Sequence, residues 1–356
     1  MQPKQLLVLS VLLSIVLLFQ QCSKKDTAAT VTPPETIKQP VLPAVPFNYI
    51  DTYPAFIQAA LNLADNTPAD NPITNDGATL GRVLFYDKHL SKNNTTSCAS
   101  CHKQETSFTD NNKFSKGFNG GFTTRNSMAM LNLRFYKSGK MFWDERATTL
   151  EKLILQPIQN PVELGLTLAE LESKVKALDY YPALFQKAFG STQIDSVRIA
   201  KAVSQFLRSI VTFKSKYDLV KQGLATFTAD EAAGEQLFLN PVPGAPPSVT
   251  ISCSSCHTPP MFITSAPAAP FALIDPADHG INNEDRFKSG SLRNVALTAP
   301  YFHNGIVPTL NGVLNSFPVH NAFNTNPQDI PRLLAFLQTL TDNSVLTDVR
   351  FSDPFK

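Results

Sequence analysis

Apolar residues recur at helical spacing in two long stretches of the chain, whereas the alternation typical of strands is scarce. Residues 196–213 and residues 330–340 both place apolar side chains every three or four positions, as the buried face of an amphipathic helix requires. These positions are Val197, Ala200, Val203, Phe206, Leu207, Ile210, Val211, Leu333, Leu334, Phe336, Leu337 and Leu340. The pattern predicts a mainly helical protein.

A continuous apolar run, "LLVLSVLLSIVLLF", follows Lys4 at the start of the chain. It is too short for a comfortable membrane span and is typical of an export signal. Cys22 ends this segment and resembles the lipidated cysteine of bacterial lipoproteins, although Gln20 and Gln21 stand where small residues are usual. We therefore interpret residues 1–22 as an export signal. The protein is then periplasmic or anchored to the outer membrane by lipid on Cys22, with cleavage to a soluble periplasmic form as the alternative.

Composition narrows the class of protein further. The 356 residues carry a net charge of only +2, which removes the electrostatic argument for binding nucleic acid. The 27 prolines and 25 phenylalanines suit short helices joined by long ordered loops around flat apolar surfaces. Residues 23–46 are rich in Thr and Pro, lack periodicity and read as a linker. Contact with a membrane is expected only through the N-terminal anchor.

Four of the five cysteines fall in two similar motifs, "TSCASCH" at residues 96–102 and "SCSSCH" at residues 252–257. One zinc site built from four thiolates, two short disulfides, or two covalently attached c-type haems would each account for the thiols. Only haem attachment also uses the histidine that follows each second cysteine, because that imidazole can ligate the iron. The candidate haem-binding residues are Cys98, Cys101, His102, Cys253, Cys256 and His257.

The repetition extends beyond the cysteines. Residues 81–102 and residues 234–257 share a G-x-x-L-F start and a similar distance to the haem motif, which indicates an internal duplication. We predict two cytochrome c-like domains with long loops and little strand, each around one covalently attached haem. Residues 47–220 would form the N-terminal domain and residues 221–356 the C-terminal domain.

Several ordered stretches across about residues 50–342 resemble the bacterial di-haem cytochrome c peroxidase family, which includes the MauG-like enzymes. They are "LFYDKHLSKNNTTSCASCH", "FTTRNSMAMLN", "MFWDERATTLEKLILQPIQNPVELG" and "FKSGSLRNVALTAPYFHNGIVPTL". The resemblance implies an enzyme that reduces hydrogen peroxide to water. Its electrons would come from a small cytochrome c or copper protein, and a homodimer is compatible with it. The alternatives are a MauG-like oxidase of a partner protein or organic substrate, and a non-enzymatic di-haem electron carrier.

The resemblance also implies a division of labour between the two haems. The haem on His102 would react with peroxide, and the haem on His257 would transfer electrons to it. Trp143 matches the tryptophan that lies between the haems, although a lone buried Trp is also a common packing residue. Glu163 matches the carboxyl group that moves the peroxide proton, whereas an isolated Glu is more often solvated.

The family also binds a calcium ion between its haems. The matching positions here are Asn126 and the carbonyl oxygens of Thr298 and Pro300. Oxygen ligands suit this hard cation, but no acidic cluster marks the site independently. The expectation of one calcium ion therefore rests on the resemblance alone.

Two departures from the family pattern affect the N-terminal haem. Leu153 stands where a pocket Gln is common, and Gln156, about one helical turn further on, could replace it only in part. Many members carry a blocking His sixteen residues after the first haem ligand, whereas this chain has Phe118 in "SKGFNGGF". We therefore expect an open N-terminal haem that needs no reductive activation.

A third departure affects the C-terminal haem, for which the family supplies a Met or Tyr as the sixth ligand. The matching position is Phe317, which cannot bind iron. Pro318 disfavours a continuous helix through this segment, so a shifted loop could place His320 on the iron. The alternative is that His320 is a solvated loop residue.

Overall fold

The computed structural model describes residues 38–241, 252–263, 278–316 and 328–356, and in these ranges the protein is mainly helical, as predicted. The α-helices are α1 (Ala55–Ala64), α2 (Asn75–Tyr86), α3 (Cys98–Cys101), α4 (Leu150–Gln159), α5 (Leu168–Lys176), α6 (Tyr181–Phe189), α7 (Ser196–Ser209), α8 (Lys216–Lys221), α9 (Ala229–Leu239), α10 (Cys253–Cys256), α11 (Leu310–Ser316) and α12 (Asp329–Gln338). Short 3-10 helices lie at Lys88–Leu90, Gln104–Thr106, Leu133–Phe135, Ile281–Asn283, Val295–Leu297, Asn343–Leu346 and Val349–Phe351. The β-structure recorded for the described residues consists of isolated bridges.

The sequence explains where α7 begins, but the helix is shorter than predicted. The Asp195 side chain caps its first turn by accepting a hydrogen bond from the backbone N–H of Arg198. The helix ends at Ser209, four residues before the predicted end. The chain leaves the helix because the backbone N–H of Thr212 donates to the Asn132 side chain at 3.0 Å instead of to the preceding turn.

The predicted duplication is visible in how two helix pairs pack. α2 crosses α7 at Gly81, where an added Cβ would lie 2.0 Å from the Ala202 carbonyl oxygen. α9 crosses α12 at Gly234, where an added Cβ would lie 2.0 Å from the Arg332 carbonyl oxygen. Both crossings therefore require glycine, since any side chain would separate the helices.

A second repeated feature joins the loops to these helix pairs. Asn132 and Asn294 both adopt the left-handed backbone region, with φ of 58° and 59°. The Asn132 side chain donates to the Thr212 hydroxyl at 2.9 Å, and the Asn294 side chain donates to the Asp342 carbonyl oxygen at 3.0 Å. The same corner thus closes each half, and two c-type haem domains fit this arrangement.

Two apolar clusters form the core of the described residues, which from Gln39 onward belong to one compact unit. The larger cluster surrounds α2 and α7, and the smaller one surrounds α9 and α12. The C-terminal segment returns to the larger cluster, where Phe351 packs against Tyr49, Phe108 and Phe206. The domain boundary between residues 220 and 221 stays a prediction.

Among the helices of the described ranges, none combines the length and the apolar character that crossing a bilayer requires. The predicted export signal and Cys22 lie outside these ranges.

Candidate haem sites and catalytic pocket

Each cysteine motif forms one short helix, α3 in the first half and α10 in the second. The small residues between the thiols serve to cap these turns. The Ser100 hydroxyl accepts from the Ser97 backbone N–H at 3.0 Å, and the Ser255 hydroxyl accepts from the Ser252 backbone N–H at 3.1 Å. Both thiols of a motif and its histidine are therefore held on a single preformed turn.

The arrangement of the thiols bears on the three interpretations of the motifs. None of the four cysteines that the structure describes is paired with another in a disulfide. Within the same ranges, no group of three or more His, Cys, Asp or Glu side chains is arranged to hold a metal ion. The two motifs are thus not joined in one zinc site, and haem attachment is the interpretation that fits.

Both histidines have an Nδ1 atom within hydrogen-bonding distance of a neighbouring oxygen. The Nδ1 atom of His102 lies 3.0 Å from the Phe108 carbonyl oxygen, to which its N–H donates. The Nδ1 atom of His257 lies 3.2 Å from the Ser289 hydroxyl, which itself donates to the Cys256 carbonyl oxygen at 2.8 Å. Burial lowers the pKa of His102 and lowers that of His257 to about 4. Both imidazoles are therefore neutral near pH 7, the form that ligates iron.

An open cavity lies against the first motif. Most of its lining is apolar, and both cysteines of the motif and His102 face it. The lining residues are Phe85, Thr96, Ser97, Cys98, Cys101, His102, Met130, Leu153, Ile154, Pro157, Glu163, Leu164 and Leu207. A flat, largely apolar group that bonds two thiols and an imidazole fits this lining, so the residues present suit haem.

Glu163 lies in the turn after α4 and lines the same cavity as His102. The Asn160 side chain donates to Glu163 Oε1 at 2.8 Å and fixes the carboxyl group. Burial raises the pKa of Glu163, and the positive charge of Arg146 partly opposes this shift. A carboxyl group with a raised pKa holds a proton more readily than an ordinary carboxyl group does, which suits it to accept a proton and return it.

Leu153 lines the cavity from α4, at the position where a pocket Gln is common in the family that the sequence resembles. Gln156 is absent from the lining, and its side-chain oxygen accepts from Arg146 Nε at 3.2 Å. Gln156 therefore binds Arg146 beside the pocket and does not replace the missing amide inside the pocket.

Phe118 belongs to a loop that docks on the turn carrying Glu163. Its backbone N–H donates to the Glu163 carbonyl oxygen at 3.2 Å, and its carbonyl accepts from the Asn93 side chain at 2.9 Å. The Phe118 ring fills the space beside Gly165, where an added Cβ would lie 2.4 Å from a ring carbon. The ring is absent from the cavity lining, so the loop supports Glu163 from outside the pocket.

Trp143 joins loops from the two halves of the chain. Its indole N–H donates to the Asn126 carbonyl oxygen at 2.8 Å, and its own carbonyl accepts from the Lys288 backbone N–H at 2.7 Å. Lys288 precedes Ser289, which contacts the His257 ring. A short series of contacts thus connects the indole to the second haem motif.

The predicted calcium ligands come from two loops that meet. The backbone N–H of Asn126 donates to the His303 carbonyl oxygen at 2.7 Å, which places Asn126 beside the loop that carries Thr298 and Pro300. The Asn126 side-chain amide donates to the carbonyl oxygens of Asn112 and Lys113 at 3.1 and 3.2 Å. Calcium binding by these residues stays a prediction.

The sequence reasoning did not identify a buried ion pair next to Trp143. Lys288 Nζ lies 2.9 Å from Glu145 Oε1, and the two side chains are 1% and 6% exposed. The signal was available, because the internal repeat matches "MFWDERA" to "YFHNGIV" and so places Glu145 at the position of Gly305. The proposed sixth ligand, His320, and the neighbouring Phe317 lie outside the described residues.

Comparison with known proteins agrees with this geometry. Residues 75–226 match the family model described as di-haem cytochrome c peroxidase, and residues 288–323 match one described as RoxA-like, cytochrome c-like. The cytochrome c551 peroxidase of Nitrosomonas europaea is 33% identical over 307 residues, covering 81% of this chain and 88% of the relative. The methylamine utilization protein MauG of Methylophilus methylotrophus is 27% identical, covering 70% of this chain and 74% of the relative.

A solved structure extends the likeness to the fold. The crystal structure of a MauG-like protein associated with microbial copper homeostasis superposes with a TM-score of 0.74 at 30% identity. The match covers 87% of this chain and 100% of that one.

Proposed function

This chain belongs to the di-haem cytochrome c peroxidase family, and we propose that it reduces hydrogen peroxide to water at an open His102 site. The electrons pass to that site from the His257 site. Glu163 carries the proposal, because its carboxyl group lines the same cavity as His102 and has a pKa raised by burial. A protein that only carries electrons has no need of a proton-managing group beside its iron.

The reaction consumes two electrons and two protons for each peroxide. Membership of the family implies two haem c groups, and haem supplies the iron to which peroxide binds and from which electrons are drawn. Glu163 accepts the proton of the bound peroxide on a carboxylate oxygen and returns it to the departing oxygen. Asn160 orients this carboxylate through its 2.8 Å hydrogen bond, and the Leu153 and Ile154 side chains keep the surroundings apolar.

Electrons reach the pocket from the second half of the molecule. The contacts of Trp143 with Asn126 and with Lys288 support a relay through its indole. The donor is a small cytochrome c or copper protein, as the resemblance to cytochrome c551 peroxidases suggests. Asn126, Thr298 and Pro300 hold a calcium ion where the two loops meet.

The resting state provides the test. Phe118 in place of a blocking imidazole, with its ring outside the cavity lining, leads us to expect a high-spin, five-coordinate N-terminal haem. Electron paramagnetic resonance of the diferric protein should detect one high-spin iron, and peroxide should change the spectrum without prior reduction. Two low-spin haems in the isolated protein, with no response to peroxide until a reductant is added, would contradict the proposal.

The same open pocket supports a second candidate, a MauG-like oxidase of a partner protein or organic substrate. Leu153 removes an amide from the pocket, and the chain is similar to MauG and to a MauG-like protein. The two activities differ in their electron source. A peroxidase turns over with a reduced donor protein alone, whereas the oxidase consumes peroxide only with its organic or protein substrate.

The protein acts outside the cytoplasm in this proposal. The apolar run at residues 6–19 directs export, and Cys22 carries the lipid that anchors the protein to the outer membrane. Labelling with a radioactive fatty acid, lost on Cys22→Ser, tests the anchor.

A further inference from the structure

The turn that carries Trp143 occurs twice in the molecule. Residues 141–147 close with a bridge between Met141 and Ala147, and residues 301–307 close with a bridge between Tyr301 and Val307. In both turns the second residue is a phenylalanine with positive φ, 72° in the first and 70° in the second. The backbone of the two turns is therefore closely similar.

The fifth residue of the turn distinguishes the repeats. It is Gly305 in the second repeat, with φ of 57°, and Glu145 in the first, with φ of 55°. Glycine adopts this left-handed conformation freely, whereas a residue with a Cβ is strained there. The turn does not require the Glu145 side chain, as Gly305 shows, so the chain accepts backbone strain in order to place a carboxylate there.

Among the described residues, that carboxylate forms its ion pair with Lys288. The Lys288 ammonium donates to Glu145 Oε1 and to the Lys140 carbonyl oxygen, both at 2.9 Å, and lies 4.0 Å from the centre of the Tyr136 ring. A buried ion pair is a poor means of stabilising a fold, because desolvation of the two charges offsets their attraction. Stabilisation of the fold therefore explains neither the backbone strain at Glu145 nor the burial of the Glu145–Lys288 ion pair.

The position of Lys288 suggests its role. Its backbone N–H donates to the Trp143 carbonyl, and its ammonium holds Lys140 and Glu145, so this one residue holds the loop on both sides of the indole. The next residue, Ser289, contacts the ring of His257 at 3.2 Å. Adjacent residues thus hold the Trp143 loop and the ligand of the second haem.

We propose that Lys288, anchored by Glu145, is a positioning residue that fixes Trp143 relative to the His257 site and so sets the rate of electron transfer between the two haem sites. The step moves one electron, given up at the His257 site and gained at the His102 site, and no bond forms or breaks. The proposal rests on the proposed function, because it assumes that both sites carry haem and exchange electrons.

The main test is the double variant Glu145→Gln with Lys288→Met, which removes both charges and keeps the shapes of the side chains. Replacing both partners avoids an unpaired buried charge, so we expect it to fold and to bind two haems. Trp143 is the only tryptophan in the chain, and haem quenches its fluorescence in a distance-dependent way. The lifetime of this fluorescence should become longer or heterogeneous as the loop loses its fixed position.

Electron transfer is measured without peroxide, by pulse radiolysis that reduces the His257 site and follows the absorbance change at the His102 site. We expect the transfer to slow by about tenfold or more, since the rate depends on holding the participating groups in a fixed geometry. The wild-type rate of peroxide turnover, measured separately, tests the proposed function. Failure of peroxide turnover with intact dependence of electron transfer on Lys288 would therefore reject that function and keep this proposal.

A control variant separates positioning from general effects. Lys221→Met with Glu235→Gln removes another ion pair, which joins α8 to α9, without touching the Trp143 loop, and should leave the fluorescence lifetime and the transfer rate unchanged. The single variant Glu145→Gln removes the negative partner of the ammonium but keeps an oxygen that can accept from it, so its transfer rate should lie between those of the wild type and the main variant. An unchanged rate in the main variant, or equal slowing in the Lys221 and Glu235 control, would overturn the proposal. If the main variant fails to fold, Lys288→Arg decides, because a guanidinium keeps the charge but not the geometry of the two 2.9 Å contacts, and a wild-type transfer rate in Lys288→Arg would then overturn the proposal.

Discussion

Glu163→Gln isolates the proton transfer that the pocket is proposed to perform. The two side chains have the same length and shape, and the amide oxygen of Gln can still accept the hydrogen bond that Asn160 donates to Glu163 Oε1 at 2.8 Å. The variant should therefore fold, attach both haems and keep the cavity. It loses only the ability of residue 163 to take up and release a proton.

The expected loss follows from this role. General acid–base help contributes about 10²- to 10⁴-fold to a rate, which corresponds to about 3–5 kcal/mol of activation free energy. Burial raises the pKa of Glu163 above the ordinary value of 4.5. The proton-accepting carboxylate is lost as the pH falls through that raised pKa, so the wild-type rate should decline on the acidic side at a pH above 4.5. The Gln variant should lack this acidic limb.

Stopped-flow mixing with peroxide between pH 4 and pH 8 measures both effects. Glu284→Gln is the control, since Glu284 is an exposed carboxylate that pairs with Arg286 away from the cavity lining. An unchanged rate in the Glu163 variant, with the chemical step still limiting, would remove Glu163 from the mechanism. An acidic limb that persists in Glu163→Gln would assign the titrating group to another residue.

Three further predictions follow from the duplication and the haem ligands. Gly81→Ala and Gly234→Ala should each destabilise the fold by about 1–3 kcal/mol in denaturant unfolding, because the new methyl group overpacks a helix crossing. An unchanged free energy of unfolding in both variants would refute the packing argument. His320→Ala should convert a low-spin C-terminal haem into a high-spin one while the haem count stays at two, and an unaltered low-spin spectrum would show that another residue is the ligand. Trp143→Phe should slow inter-haem electron transfer in pulse radiolysis without changing the rate of peroxide binding, whereas an unaffected transfer rate would exclude the indole as a relay.

The parts of the fold that depend on local pattern could be predicted from the sequence. Helical spacing predicts α7 and α12, and the repeated G-x-x-L-F segment predicts the two matched helices α2 and α9. The end of α7 could not be predicted in this way. Its last predicted turn is replaced by hydrogen bonds to Asn132, which lies far away in the sequence.

The residues of the candidate site also differ in whether the local sequence is enough to identify them. The cysteine motifs identify their own ligands, because thiols and imidazole lie within five residues and their chemistry is specific. Glu163 was identified only through resemblance, since nothing in its local sequence shows that the turn after α4 faces the cavity of His102. The internal repeat marks Glu145 as unusual, because its counterpart is Gly305, but the pairing of Glu145 with Lys288, 143 positions away, is visible only in the folded structure.

The differences between the two halves indicate where function has been added to a shared scaffold. The halves keep the same glycine crossing, the same asparagine corner and the same capped cysteine turn. They differ at the turn that follows, where the first half has Trp143 and Glu145 and the second has His303 and Gly305. The first half also has the turn after α4 that brings Glu163 to the cavity, and the second half has α11 at the position of α4. The shared features are explained by packing, because both halves need them to bring their helices and loops together. The residues that differ between the halves are not required by this packing. They lie beside the pocket and on the connection between the two haem sites.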